Sequence, residues 1–273
     1  MIELRAGRLR CELEPDAGGA VAGLWLDGMP LLHGGGCRPL VPFANRIDHA
    51  AVVWQGTQQP QVHHPGDAPR TIQGLAWQSP WEVLDADGAS AMLAYEHRAD
   101  AAWPFAFDCS QTLRLQPTGL ELTLALTNQS PQAAPAGLGW RAALSLRPGS
   151  HVRAKAQALR ELDAEHLPGR RRADTGLDAD LDASPLERCY EGWDGLLRLH
   201  DAGGALQLRS ELTRLLLWTA PGGDCLVAQP VSHAPNAVHL YAAGAAAADL
   251  GLVLLQPGES LLAQMRLEPA GAA

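Results

Sequence analysis

Polar side chains interrupt several apolar stretches of this 273-residue sequence, and burying such groups costs free energy unless they gain hydrogen-bond partners. The candidates for chemistry among them are Asn45, Arg46, Gln73, Arg141 and Gln229. An amide both donates and accepts hydrogen bonds, and a guanidinium presents a fork of donors that fits a carboxylate or a phosphate. We therefore expect these residues to hold a polar ligand, with the arginines favouring an anionic one.

These residues lie in an ordered series of short segments spread over nearly the whole chain. The segments are residues 42–47, 72–77, 103–105, 137–141, 189–195, 229–231, 235–237 and 257–259. Each segment alone is a weak signal, but their order and spacing resemble the aldose 1-epimerase (galactose mutarotase) family. The resemblance implies an all-β fold, a large antiparallel β-sandwich known as a supersandwich, with a cleft for a small-molecule sugar on a concave sheet.

Members of that family line the cleft with an Asn-Arg pair, two histidines, an acidic residue and a glutamate. The resemblance places Asn45 and Arg46 at the Asn-Arg pair, whereas Gln73 and Arg141 stand at the two histidine positions. Gln229 stands at the glutamate position, before a proline. The match therefore departs from the family at the residues that move protons.

The acidic position of the family lies upstream of an aromatic-Gly-Trp segment. Here it is assigned to Glu187, with Asp182 or Asp194 as alternatives because the preceding loop aligns loosely. Glu187 could bind ligand, or it could pair with one of the cleft arginines.

Interconversion of sugar anomers requires one group to protonate the ring oxygen while another removes the proton of the anomeric hydroxyl. The family is taken to use its second histidine as the acid and its glutamate as the base. The amide of Gln229 cannot take up a proton near neutral pH, and an arginine such as Arg141 keeps its proton above pH 12. Two hypotheses follow. The protein is either an isomerase for a hexose or an acidic or phosphorylated sugar, with another pair of proton carriers, or a catalytically inactive sugar-binding or regulatory protein.

Histidines are the natural candidates for replacement proton carriers, because imidazole exchanges protons near neutral pH. The candidates are His49, His63, His64, His233 and His239, with His63 and His64 close in sequence to Gln73. Three tryptophans, Trp77, Trp140 and Trp193, could offer a flat face to a sugar ring, although most tryptophans of a β-sandwich belong to the core.

Composition restricts the remaining function classes. The formal net charge of −9 and the lack of a long Lys/Arg run argue against nucleic-acid binding. The five cysteines form no C-x-x-C pair and no zinc-spaced cluster, so we expect free thiols, no metal and no cofactor. The sequence shows no signal-peptide pattern and no apolar run that could span a membrane, which predicts a cytoplasmic protein.

The elements that must position these residues are predominantly strands. Leucines at 120, 122, 124 and 126 alternate with polar or small residues, the pattern of a strand with one buried face. Further strands are predicted at 2–13, 20–26, 81–84, 91–97, 107–115, 196–200, 205–209, 214–219, 250–255 and 261–267. We predict a short helix within 154–166, a surface loop at 167–185 and one domain over 1–273, as a monomer or a homodimer.

Overall fold

A computed structural model describes residues 1–48, 51–54, 57–60, 71–100, 103–181, 186–219 and 223–270. The first half of the chain forms β1 Ile2–Ala6, β2 Leu9–Glu14, β3 Ala20–Leu26, β4 Met29–Pro30, β5 Leu32–Leu40, β6 Arg46–Ile47, β7 Ala51–Trp54, β8 Thr57–Pro60, β9 Thr71–Ile72, β10 Glu82–Ala86, β11 Ser90–His97, β12 Phe107–Gln116 and β13 Gly119–Asn128. The second half forms β14 Ala134–Ala136, β15 Gly139–Ser145, β16 His151–Lys155, β17 Ala158–Leu162, β18 Pro168–Ala173, β19 Gly176–Asp180, β20 Glu187–Glu191, β21 Leu196–Asp201, β22 Gly204–Ser210, β23 Arg214–Thr219, β24 Cys225–Val231, helices α1 Ala237–Ala242 and α2 Ala247–Leu250, β25 Val253–Leu255 and β26 Ser260–Ala270.

Two large antiparallel sheets account for most of these strands. The first has the order β1-β2-β3-β5-β15-β24-β23-β20-β17-β18, with β4 paired to β3. The second has the order β10-β11-β12-β13-β26-β22-β21-β16-β19. The described residues also form three two-stranded pairs, among them β6 with β9. The predicted all-β class and large antiparallel architecture are confirmed.

Strict alternation of side chains explains how the two sheets meet. In β13, Leu120, Leu122, Leu124 and Leu126 are each no more than 1% exposed, and they join one hydrophobic cluster with residues of both sheets. Because successive side chains of a strand point to opposite faces, each strand places one row in this core and the other row on the outside. The outward-facing side chains of the first sheet are therefore available to line a binding site.

The strands predicted over residues 20–26 and 214–219 match β3 and β23, and most of the others are right to within a few residues. The 2–13 segment is a hairpin of two strands, and Leu250 ends helix α2 instead of starting a strand. The predicted helix at 154–166 is wrong. Ala154 and Ala158 are buried in β16 and β17, so sheet pairing overrides the local helix propensity.

The predicted surface loop at 167–185 is also wrong over most of its length, because β18 and β19 lie within it. No helix among the described residues is long and apolar enough to cross a membrane. The single domain over 1–273 stays a prediction.

Candidate functional site

All six residues that the sequence singled out line one cavity of about 330 Å³ on the first sheet. They are Asn45, Arg46, Gln73, Arg141, Glu187 and Gln229. Cavities that bind small molecules measure roughly 300–1,000 Å³, so the space suits a ligand of modest size.

Neighbouring strands of the first sheet carry the floor of this cavity. Arg141 on β15 lies level with Gln229 on β24, between the registered pairs Gly139–Val231 and Ala142–Ala228. On the next strand, β23, Leu216 lies opposite Gln229 and Trp218 lies opposite Val227. Trp218 in turn lies opposite Glu187 on β20, so these side chains form two adjacent rows across the sheet. Backbone pairing thus fixes their spacing.

Two loops bring amide side chains over the same floor. Asn45 and Gln73 both adopt left-handed backbone angles, with φ of 62° and 69°, and the Gln73 N–H donates to the Asn45 carbonyl at 2.9 Å. Such conformations are costly for residues other than glycine and cluster at functional sites. Gly74 follows with φ of 74°, and a Cβ there would lie 2.1 Å from the Val41 carbonyl oxygen, which only glycine avoids.

The amides are only partly satisfied by the protein. Gln73 donates from Nε2 to Oε1 of Gln229 at 2.9 Å. Its own Oε1 and the Nδ2 of Asn45 are buried and have no hydrogen-bond partner among the described residues. A buried polar atom without a partner costs about 1–3 kcal/mol. Two residues of the cavity wall therefore each carry one polar atom that lacks a partner in the described part of the protein.

His233 supports the loop that carries Asn45. Its Nε2 accepts from the Ala44 N–H at 3.0 Å, and its Nδ1 donates to the Ala234 carbonyl at 2.8 Å. Complete burial lowers the pKa of His233 to about 4. Because both ring nitrogens bind backbone groups, His233 is excluded as the replacement proton carrier.

The charges of the cavity are unbalanced. Arg46, Arg141 and Arg188 line it, against the single carboxylate of Glu187. Burial lowers the pKa of Arg141, and the nearby Arg38 adds to this effect. In the described part of the chain, neither Arg46 nor Arg141 forms an ion pair with a carboxylate. These two guanidinium groups are therefore available to an anion.

Among the described residues, Glu187 pairs with a histidine and not with an arginine. Nδ1 of His166 lies 2.6 Å from Oε1 of Glu187, and both residues line the cavity. Of the alternatives for the acidic position, Asp194 accepts from the N–H of Leu196 and is not part of the cavity wall, and Asp182 lies outside the described residues. His166 was not among the candidates from sequence, since only its spatial position relative to Glu187 marks it.

The aromatic side chain in the cavity is also a different one from those predicted. Trp218 lines the cavity, whereas Trp140 and Trp193 are buried, with exposures of 0% and 3%. Trp77 is half-buried beside Arg38, outside the cavity wall. Alternation along β23 could have identified Trp218, because it shares a face with the cavity residue Leu216.

The remaining predicted histidines are His49, His63, His64 and His239. His239 lies on α1, outside the cavity wall, and His49, His63 and His64 lie outside the described residues. All five cysteines are free and buried. In the described residues, no group of three or more His, Cys, Asp or Glu side chains could hold a metal ion.

Comparison with known proteins agrees with the all-β fold. The sequence profile of the aldose 1-epimerase family matches residues 2–268. The chain belongs to the aldose 1-epimerase family. An uncharacterized Escherichia coli K12 protein, YphB, is 30% identical over 295 residues, covering 97% of each chain.

Solved structures of aldose 1-epimerase relatives have the same fold. A putative aldose 1-epimerase from Escherichia coli K12 superposes with a TM-score of 0.88 at 27% identity, covering 98% of both chains. A galactose mutarotase-like protein from Clostridium acetobutylicum gives a TM-score of 0.86 at 18% identity, covering 98% of this chain and 94% of that one. The resemblance inferred from the short segments is thereby confirmed.

Proposed function

We propose that the cavity binds a hexose carrying a carboxylate or phosphate group, and that the protein interconverts the anomers of this sugar. The observation that carries the proposal is the pair Arg46 and Arg141, two cavity guanidinium groups without an ion-pair partner in the described residues. Guanidinium groups bind carboxylate and phosphate through forked, charge-assisted hydrogen bonds.

The neutral part of the wall suits a sugar ring. Gln73 offers an unsatisfied acceptor and Asn45 an unsatisfied donor, the two functions that a hydroxyl group can match at once. Trp218 adds an apolar surface beside them, against which the C–H face of a pyranose can pack. The combination of amides, a tryptophan and arginines favours an anionic sugar over a simple anion.

Calorimetric titration with glucose, glucose 6-phosphate and glucuronic acid tests the proposed preference. We expect at least one anionic sugar to bind about tenfold or more tighter than glucose, because one charge-assisted hydrogen bond contributes about 1.5–3 kcal/mol. Raising the salt concentration should reduce the difference in affinity between the anionic sugar and glucose, since salt screens the attraction between exposed charges. Equal affinity for all three sugars, or none for any, would remove the proposal.

A second candidate is a sugar-binding protein without catalysis. It is favoured by Arg141 and Gln229, two residues of the cavity wall that the resemblance assigns to the positions of the family's acid and base. NMR exchange between α and β anomers, with the buffer-only rate subtracted, distinguishes the two. An exchange rate equal to that of buffer at saturating protein supports the binding protein.

A further inference from the structure

The turn between β17 and β18 holds one side chain at the cavity. Asp163 organises this turn, because its Oδ1 accepts from the N–H groups of Glu165 at 2.8 Å and Leu167 at 2.9 Å. The Asp163 carbonyl accepts from the His166 N–H at 2.9 Å. His166 itself adopts φ of 59°, a conformation that is unfavourable for most side chains. The turn therefore fixes the backbone of His166 in a strained but well-defined position.

The imidazole of His166 is oriented by Glu187. With Nδ1 only 2.6 Å from Oε1 of the carboxylate, Nδ1 is the nitrogen that donates, which leaves Nε2 with a lone pair. Nε2 has no hydrogen-bond partner in the part of the chain that the structure describes. The two side chains are 43% and 40% exposed, so the pair is accessible from the cavity mouth.

This arrangement is specific to the cavity. Other histidines with carboxylate neighbours, such as His33 beside Asp224 and His151 between two aspartates, lie elsewhere on the surface. Among the histidines that the structure describes, His166 alone lines the cavity. A carboxylate-bound imidazole is a well-established proton carrier, because the carboxylate fixes the tautomer and stabilises the imidazolium that forms.

We propose that His166 is the proton carrier for anomer interconversion in this cavity and that Glu187 is its positioning residue. This inference rests on the proposed function. It supplies a proton carrier in place of the acid and base that the resemblance expects at the positions of Arg141 and Gln229. Nε2 takes the proton of the anomeric hydroxyl while the bond between C1 and the ring oxygen breaks and a C1 carbonyl forms. The imidazolium then returns the same proton to the ring oxygen, which shares C1 with the hydroxyl.

Ring closure on the opposite face of the carbonyl reverses these steps, so no proton is gained or lost over the cycle. Arg141 and Glu187 lie three strand spacings apart, ~14 Å between backbones. A sugar between them can place its anionic group on the arginine side and C1 on the His166 side. Binding and proton transfer are thus assigned to opposite walls.

The substitution His166→Asn tests the inference, because asparagine tolerates the left-handed conformation of this turn. We expect the rate of anomer exchange of the bound anionic sugar to fall about 100-fold, the scale of general acid–base catalysis, while its Kd changes by less than about threefold. The matched control is His33→Asn, whose side chain is 40% exposed and also lies beside a carboxylate, 3.7 Å away. It should keep the wild-type rate.

The substitution Glu187→Gln provides a second, independent readout. We expect a lower exchange rate with a Kd within about threefold of wild type, since an amide does not stabilise the imidazolium that forms during proton transfer. A purely structural role for Glu187 would instead weaken sugar binding together with the rate.

The inference is overturned if H166N exchanges anomers as fast as the wild type. It is also overturned if the wild-type protein binds the sugar but exchanges it at the buffer rate, although binding itself would then stand. Failure to bind any of the three sugars would instead remove the proposed function.

Discussion

Replacing Arg141 by methionine should weaken the binding of an anionic sugar and leave the free protein at least as stable. Arg141 is half-buried on β15, and burial lowers its pKa, which means that the surroundings disfavour its charge. No carboxylate among the described residues compensates it. Methionine keeps much of the aliphatic stem and removes the uncompensated charge.

The expected magnitudes follow from this environment. A hydrogen bond to a charged group contributes about 1.5–3 kcal/mol, so R141M should raise the Kd for glucuronic acid or glucose 6-phosphate by about 10–150-fold. The Kd for glucose should change by less than about threefold. The melting temperature of the ligand-free protein should stay constant or rise, with ~1 kcal/mol corresponding to ~2–4 °C in a chain of this size.

Arg160→Met is the matched control, because it removes the same charge from the same sheet. Arg160 is only 16% exposed and donates to Glu191 at 2.6 Å, and that carboxylate is itself buried. Glu191 keeps a second partner, Arg171 at 2.8 Å, but a buried carboxylate that loses one of its two arginines is still less compensated, so R160M should lower the melting temperature without selective loss of anion affinity. Calorimetry and thermal denaturation at one fixed ionic strength provide both measurements. If the Kd of R141M for the anionic sugar stays within threefold of the wild-type value, the reasoning is refuted.

Two further predictions concern the supporting loop and the family positions. Because the pKa of buried His233 is lowered from 6.5 to about 4, the unfolded state binds more protons in that interval, and the free energy of unfolding should fall by up to ~3 kcal/mol as the pH decreases from 6.5 to 4. In urea denaturation, H233Q, which keeps an acceptor for the Ala44 N–H, should flatten this dependence; an unchanged slope would contradict the assignment of His233 as a neutral structural residue. The resemblance assigns a histidine to position 141 and a glutamate to position 229, so the double variant R141H/Q229E should accelerate anomer exchange of a neutral hexose above the wild-type rate, as measured by NMR. If its rate equals that of wild type, the absent acid and base are not what limits turnover of neutral sugars.

The strands were predictable where one face is buried and the other is not. Residues 107–116 and 119–128 alternate buried and less buried side chains, and this alternation is visible in the sequence. β18 and β19 are different, since each lies at the edge of its sheet and neither buries a side chain completely. Because these strands are held by backbone pairing and not by a buried face, apolar residues do not alternate in their sequences. Charged edge strands of this kind look like surface loops in sequence.

The candidate site was predictable to the extent that strands and short motifs fix it. Arg141 and Gln229 were located through the family resemblance, since no strand was predicted over residues 139–145 or 225–231; the pairing of β15 with β24 is what places them level with each other. His166 could not be located in this way. Its relation to the cavity depends on a turn conformation set by Asp163 and on a contact with Glu187, 21 residues further along the chain. No local pattern encodes either feature.

The cavity floor on β15 and β24 and the β17–β18 turn differ in how they can accommodate substitutions that change the substrate. Side chains on β15 and β24 have their backbones fixed by pairing on both sides, so substitutions there alter charge and hydrogen bonding without moving the floor. Under the proposed function, neither the arginine nor the glutamine at these positions carries a proton, and the arginine favours an anionic group. A proton carrier on the β17–β18 turn does not require those positions. Under the proposed function, ligand charge and anomer chemistry are therefore set by different elements, and each can be altered by substitution without the other.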